Sequence, residues 1–360
     1  MDRATLTREL VELNIKETLS SKDWRLVCDE SFQSLFREWE IDPRRVVQVD
    51  DIGKSITRES QFPFAVVCTE RAEGPTQNLL RDNGVASAGL YSQIIPRLAA
   101  GLRPRFHPPP DRRLDLEYAI MCLPRCGSTL VSTELRQIGA GNPVEHFRGY
   151  VHKLLRERET SGFDLVKWWS LVRNGRNING IFGTKIIYGF WMMAEEYMLA
   201  EEKEYMLTFL KRVPIIYIER SDKVAQAVSN VIARRTGVWH LWRDDMKQSY
   251  QDKLREVDEN LASAVASYKR FVQEESDLAA FIEANGGSVI KIEYEDLASR
   301  PKETIAAAAR RLGLTVSCEY SESDLSLQPT GSATHELFRE RLEAELKRLS
   351  GRTSPPKGDG

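Results

Sequence analysis

Apolar positions in this chain cluster into short runs, and segments with helical spacing follow them. Tyr118–Leu123, Pro214–Glu219 and Ser288–Tyr294 are predominantly apolar stretches of strand length. The segments behind them, from about Ser128 to Gly139, Asp222 to Arg235 and Lys302 to Leu312, are helical in pattern, the last stopped by Gly313. Strands that are apolar on both faces and alternate with helices predict a parallel sheet covered on each side. Ligands of such sheets bind at the carboxyl ends of the strands. Nearer the start, Arg45–Val49 and Phe64–Thr69 read as strands, Thr76–Asn83 as a helix stopped by Gly84, and Ile94–Leu102 as helical. This is a piece of a small Rossmann-like module without G-x-G-x-x-G, so a structural or docking role is expected rather than nucleotide binding. The charged stretches Met192–Arg212 and Trp242–Ala284 predict solvated helices.

Pro108-Pro109-Pro110 fixes the backbone and removes donors, which excludes helix and central strand. The expected organisation is therefore an α/β extension over 1–105, a Pro-rich linker over 106–113, the main domain over 114–349 and a frayed Gly/Pro/Ser/Lys-rich tail over 350–360. The 360 residues are 41% hydrophobic and 29% charged with a formal net charge of −2. No global field draws such a chain to nucleic acid, so a polyanionic ligand must be met by local arginines and lysines. No apolar run is long enough for a membrane span, and the start lacks a signal-peptide core, which predicts a cytoplasmic protein. Cys28, Cys68, Cys122, Cys126 and Cys318 are odd in number and scattered, a pattern that suits a reducing compartment. Cys122 and Cys126 have no second pair nearby in sequence, and no metal site is expected.

The sharpest local signal is Leu123-Pro124-Arg125-Cys126-Gly127-Ser128-Thr129-Leu130, where an apolar strand meets a helix start. Free N–H groups and the helix dipole favour a phosphate there, Gly127 permits close backbone approach, and Arg125, Ser128 and Thr129 add charge and hydroxyl donors. The position after Gly127 is Ser128, not the Lys of a kinase-type P-loop, and no magnesium-holding Asp follows the second strand, which argues against ATP hydrolysis. The second signal is Arg220 at a strand end and Ser229 in the next helix, both able to reach one phosphate.

Pro-Arg-x-Gly-Ser-Thr after a strand resembles the 5'-phosphosulfate loop of sulfotransferases, and the Arg220/Ser229 pair resembles their 3'-phosphate clamp. The nine-residue spacing of that pair, Asp222-Lys223-Val224-Ala225-Gln226-Ala227-Val228-Ser229 and Thr236-Gly237-Val238-Trp239 are similar to the bacterial trehalose 2-sulfotransferase family. The resemblance extends from Tyr118 to Leu314, and Glu293–Leu297 with Arg300-Pro301 fits a common packing pattern of that class. It implies a P-loop-like sulfotransferase fold, 3'-phosphoadenylyl sulfate as donor without metal, and a carbohydrate or glycolipid hydroxyl as acceptor. Donor binding then falls to Arg125, Cys126, Gly127, Ser128, Thr129, Arg220 and Ser229.

Gly141-Asn142-Pro143-Val144-Glu145-His146-Phe147 matches the family's acceptor loop, with Glu145 where the proposed base stands and His146 in place of a Tyr. Asn142, Glu145, His146 and Phe147 are thus the expected acceptor contacts, and His146 is a second candidate base. Lys185, in Gly183-Thr184-Lys185, is either a charge neutraliser near the transferred group or a structural lysine. Catalytic roles are expected for Glu145, Arg125 and Lys185. The C-terminal stretch Ser326–Ser332 and Glu336–Arg339 lacks the family's Arg after Gln328 and its Trp, and this leaves open a non-catalytic nucleotide-binding or scaffold protein. Val238, Trp239, Leu241 and Trp242 are a candidate apolar contact for a homodimer.

Overall fold

In the computed structural model, residues 14–20, 24–52, 64–69, 73–101, 114–241, 246–255, 261–315 and 331–351 are described. The Pro-rich stretch, Trp242, Cys318, Ser326–Thr330 and the tail beyond residue 351 lie outside them. The chain forms two compact units. The first comprises Met1–Arg112 with Arg148–Arg176 and Glu196–Glu202, so it takes in more of the chain than the part before the Pro-rich stretch; the second holds the rest.

The first unit is built on a four-stranded parallel sheet of order β2-β1-β3-β4: β1 (Arg25–Cys28), β2 (Val46–Gln48), β3 (Ala65–Cys68) and β4 (Ser87–Gly89). Val27, Ala65 and Val67 pack with Ile52, Leu80 and Val85 into its core. The Glu73–Asp82 helix stands near the predicted place. The segment read as one helix from Ile94 is a π-helical turn over Leu90–Ile94 running into a short helix over Ile95–Ala99. Glu202 fastens the later segments of this unit: both guanidinium N–H groups of Arg158 reach its carboxylate at 2.7 Å, and it accepts the Leu165 and Leu199 amides.

The second unit is a five-stranded parallel sheet of order β6-β7-β5-β8-β9: β5 (Leu116–Cys122), β6 (Val144–Glu145), β7 (Ile181–Ile187), β8 (Ile215–Glu219) and β9 (Val289–Glu293). The predicted doubly covered parallel α/β sheet is what the chain forms. Tyr118, Ile120 and Cys122 of β5 join Ile216, Ile218, Ile290 and Ile292 in one core with Val131 and Leu135 of the Ser128–Gln137 helix and Ile305 and Ala309 of the Pro301–Arg311 helix. Successive strands are added on opposite sides of β5, so the strand order reverses there, and the crevice opens at its carboxyl end.

Two sequence expectations change. The Leu261–Asn285 helix is not merely solvated, since Ala264, Phe271, Leu278 and Ile282 are buried along one stripe. Leu241, counted with the exposed apolar run, is buried, while Trp239 beside it is exposed.

Candidate active site

The chain leaves β5 through a turn in which Arg125 takes φ 64° and Gly127 takes φ 80°. A non-glycine residue in the left-handed region is held there by its surroundings, and such strain collects at functional sites. Three bonds across the unit hold this one. Arg125 Nε donates to Ser229 Oγ at 3.0 Å, Arg220 Nη1 donates to the Arg125 carbonyl at 2.9 Å, and Gln226 Nε2 donates to the Pro124 carbonyl at 2.7 Å. Arg125 Nη1 also donates to the Trp239 carbonyl. The turn then enters the Ser128–Gln137 helix, whose first N–H groups have no intrahelical acceptor and face the crevice.

The turn favours negative charge. Burial alone would raise the Cys126 thiol, but hydrogen bonds from the Cys122 thiol and from the Ser128 amide and hydroxyl outweigh it and bring it below its ordinary value. Cys122 moves the other way, raised by burial and by its neighbour Cys126.

β8 and the next helix bring in the second half of the site. Arg220 follows the strand end, and its guanidinium lies 4.2 Å from the centre of the Tyr294 ring. Its Nε is buried and has no hydrogen-bond acceptor. Arg125 stands beside it, lowered by burial and by the Arg220 charge. Two adjacent guanidiniums, one with an unsatisfied N–H, are a demand for an anion.

The framework below is fixed by Lys223 and Glu275, which pair at 2.5 Å with Glu275 also accepting from the Tyr217 hydroxyl at 2.5 Å. Asp222 caps the Lys223–Thr236 helix through the Ala225 amide at 2.8 Å.

The third part comes from β6 and β7, where Glu145 is the register partner of Lys185. Lys185 Nζ lies 2.9 Å from Glu145 Oε1 and donates to Thr129 Oγ1 at 3.2 Å. Glu145, Lys185 and the start of the Ser128–Gln137 helix therefore meet at the carboxyl edge of the sheet. Asn142 and Glu145 are half-buried. His146 and Phe147 are buried: His146 Nδ1 is 3.0 Å from Thr184 Oγ1, and Phe147 packs edge-on against Trp191 at 5.7 Å. These two side chains hold the segment in place.

Two residues at the site carried no sequence signal. His240 Nε2 lies 3.4 Å from Thr129 Oγ1, one position past the Thr236–Trp239 match. His335, in the first turn of the Ala333–Gly351 helix, is lowered to about 4 by burial and by the charges of Arg125 and Arg220, within whose electrostatic reach it lies, and its Nδ1 is 2.9 Å from Ser332 Oγ. No cluster of three or more His, Cys, Asp or Glu that could hold a metal occurs among the described residues. None of their helices is long and apolar enough to cross a membrane.

A parallel sheet with a Pro-Arg-Cys-Gly-Ser-Thr turn after its middle strand, and an Arg/Ser pair on the adjoining strand and helix, puts this protein in the sulfotransferase class. Residues 117–328 match the family described as Stf0 sulphotransferase, and the chain belongs to that family. Among solved structures it is similar to a sulfotransferase from Alicyclobacillus acidocaldarius, at 16% identity over 67% of this chain and 96% of the other, with a TM-score of 0.36. It is also similar to the sulfotransferase domain of the Synechococcus PCC 7002 olefin synthase, at 14% identity over 69% and 99% of the two chains, TM-score 0.29. A third likeness is to the sulfotransferase domain of the curacin biosynthetic pathway, at 15% identity over 62% and 83%, TM-score 0.32. No curated protein matches the chain.

Proposed function

We propose that this sulfotransferase takes its sulfonate group from 3'-phosphoadenylyl sulfate and delivers it to a hydroxyl of a carbohydrate or glycolipid. The observation that carries the donor assignment is the Arg125–Arg220 pair: Arg125 Nε donates to the Ser229 hydroxyl, and Arg220 keeps a buried Nε with no hydrogen-bond partner. Such a pair suits a phosphate dianion. The proposed 3'-phosphate therefore lies against Arg220 and Ser229, and the 5'-phosphosulfate lies over the turn from Arg125 to Thr129, including Cys126 and Gly127.

The acceptor oxygen attacks sulfur in line with the leaving phosphate oxygen, as in phosphoryl transfer. The new oxygen–sulfur bond forms as the sulfur–oxygen bond to the phosphate breaks, and adenosine 3',5'-bisphosphate leaves. Charge grows on the leaving oxygen and the sulfonate oxygens, where fixed donors stabilise it most. Those donors are the helix-start N–H groups, the Thr129 hydroxyl, Arg125 and Lys185. Glu145 takes the hydroxyl proton, a contribution typically of about 10²–10⁴-fold. Because Lys185 stands between Glu145 and Thr129, an arriving sulfonate offers its ammonium a second anion and loosens its hold on the carboxylate. Asn142 completes the acceptor side, and His146 and Phe147 position the segment.

The test is nucleotide choice. Adenosine 3',5'-bisphosphate should bind far more tightly than AMP in a calorimetric titration without metal. Arg220→Ala should remove most of that preference, a loss of roughly ten- to a hundredfold for one charge-assisted contact. Equal affinities for the two nucleotides in the intact protein would end this reading.

A further inference from the structure

On the face of the Lys223–Thr236 helix turned away from the donor cleft, a cavity of about 240 Å³ carries three arginines, Arg234, Arg235 and Arg270, with Ser263 and Ser267 between them. Ser229, on the proposed 3'-phosphate, precedes the cavity-lining Val231 by two positions, and two helical steps carry a side chain to the opposite side of a helix. The cavity is thus separate from the cleft at β5 and β8.

Each part of the cavity is explained by its own helix only in part. Arg234 and Arg235 stand in the last turn of theirs, where cations complement the helix dipole. Both are exposed, and neither has an ion pair within 4 Å among the described residues. Ser263, Ser267 and Arg270 recur at i, i+4 and i+7 along the Leu261–Asn285 helix, so one stripe, starting in the first turn, faces the two arginines. Asn230 Nδ2 donates to Ser267 Oγ at 3.4 Å, which leaves the hydroxyl proton of Ser267 to donate.

The Arg270 Nε is buried without a hydrogen-bond partner; Glu274 Oε1 forms an ion pair with it at 3.7 Å, too far for a hydrogen bond. Dipole compensation accounts for residues in a last turn, but Arg270 lies well inside its helix. The residues lining the cavity include three arginines and no carboxylate; Glu274, beside them, is paired with Arg270 alone at 3.7 Å.

We propose that this cavity is a second anion site, which binds a sulfate or phosphate monoester between Arg234, Arg235 and Arg270. The guanidinium fork suits two oxygens of a tetrahedral anion, and the serine hydroxyl takes a third. A volume of about 240 Å³ is below the roughly 300–1,000 Å³ of pockets that enclose drug-sized molecules, so it holds the charged group and a small part of its carrier, not a nucleotide.

The experiment uses the full chain with the donor cleft first saturated by adenosine 3',5'-bisphosphate. Methyl phosphate and inorganic sulfate are then titrated at constant ionic strength, with chloride as control, and binding is followed by NMR shifts and thermal stabilisation. Sulfate or methyl phosphate should bind beyond the chloride effect, and the exposed double variant Arg234→Ala/Arg235→Ala should weaken this about tenfold or more. Arg270→Gln should weaken it with the circular dichroism spectrum unchanged. A parallel arm measures retention on phosphatidylcholine vesicles with and without phosphatidic acid. Retention that needs phosphatidic acid and the two arginines assigns the monoester to a lipid headgroup, and methyl phosphate binding without retention assigns it to a soluble molecule. No binding beyond chloride, or binding that the double variant leaves intact, overturns the proposal. Arg220→Ala serves as a separate control, because it should weaken the nucleotide alone.

Discussion

Replacing Gly127 by alanine tests how tightly the turn after β5 is built. Gly127 stands at φ 80°, and a Cβ placed there would lie 2.8 Å from Leu297 Cδ2 and 3.1 Å from Tyr294 Cδ2. The left-handed backbone strains an L residue by about 1–2 kcal/mol, and overpacking adds about 1–3 kcal/mol. Neither neighbour is placed to yield, since Leu297 is fully buried in the sheet core and the Tyr294 ring lies against the Arg220 guanidinium. The expected loss, about 2–5 kcal/mol, is a large part of the ~5–15 kcal/mol that typically holds a protein folded. Urea unfolding should show it as a lower midpoint at unchanged slope. Relief comes from shifting the turn, so affinity for adenosine 3',5'-bisphosphate should fall in the same variant by about tenfold or more, the loss of at least one charge-assisted contact. A Gly127→Ala protein with the parent midpoint and the parent affinity would refute the tight-turn argument.

Outcomes are expected for four further variants. Glu145→Gln keeps a hydrogen-bonding partner for Lys185 but cannot accept the proton, so nucleotide affinity should persist while turnover falls by about 10²–10⁴-fold in a steady-state assay; the separate change His146→Ala should act mainly on stability. Glu275→Gln leaves the buried Lys223 ammonium without its counter-charge and should destabilise the protein by about 3–5 kcal/mol in urea unfolding, whereas a loss near zero would mean that water compensates it. His335 is held near 4 against an ordinary 6.5, so between these values the unfolded chain binds a proton that the folded one does not. Its stabilising effect is therefore complete above about pH 6.5 and is lost as pH falls toward 4, and His335→Gln should flatten that limb of the stability–pH curve; an unchanged limb would show that His335 is not held neutral.

β5 and β8 were legible because strands buried on both faces read as nearly unbroken apolar runs, β9 because Val289, Ile290 and Ile292 mark a strand although Lys291 and Glu293 are exposed, and the turns behind β5 and β8 have their own signals in Arg125–Thr129 and Arg220–Ser229. β7 was harder to read as a strand, since Gly183, Thr184 and Lys185 interrupt the apolar pattern. At Gly183 a Cβ would meet the Tyr118 ring at 2.6 Å, and Lys185 pairs with Glu145 and donates to Thr129 Oγ1. β1 and β4, at four and three residues, went unread although β2 and β3 are no longer. The Leu261–Asn285 helix hid its buried stripe among charges that occupy the other faces. His240 and His335 reach the site only through tertiary folding, across 111 positions in the case of the Thr129–His240 contact, and no local pattern announces such an approach. The Glu145–Lys185 pair was legible as two separate candidates, and the β6–β7 register joins them.

The central claim is that the chain moves a sulfonate group from the nucleotide to a sugar-bearing acceptor. The direct measurement incubates the purified protein with 3'-phosphoadenylyl sulfate radiolabelled in its sulfonate and with carbohydrate and glycolipid extracts of the host. Label should pass to a saccharide-containing product in step with release of adenosine 3',5'-bisphosphate, and Glu145→Gln should slow the transfer by about 10²–10⁴-fold while still binding donor. Donor that is bound with the expected preference over AMP, yet stays intact against every extract fraction, would contradict the account and identify a nucleotide-binding protein that keeps the fold without the reaction.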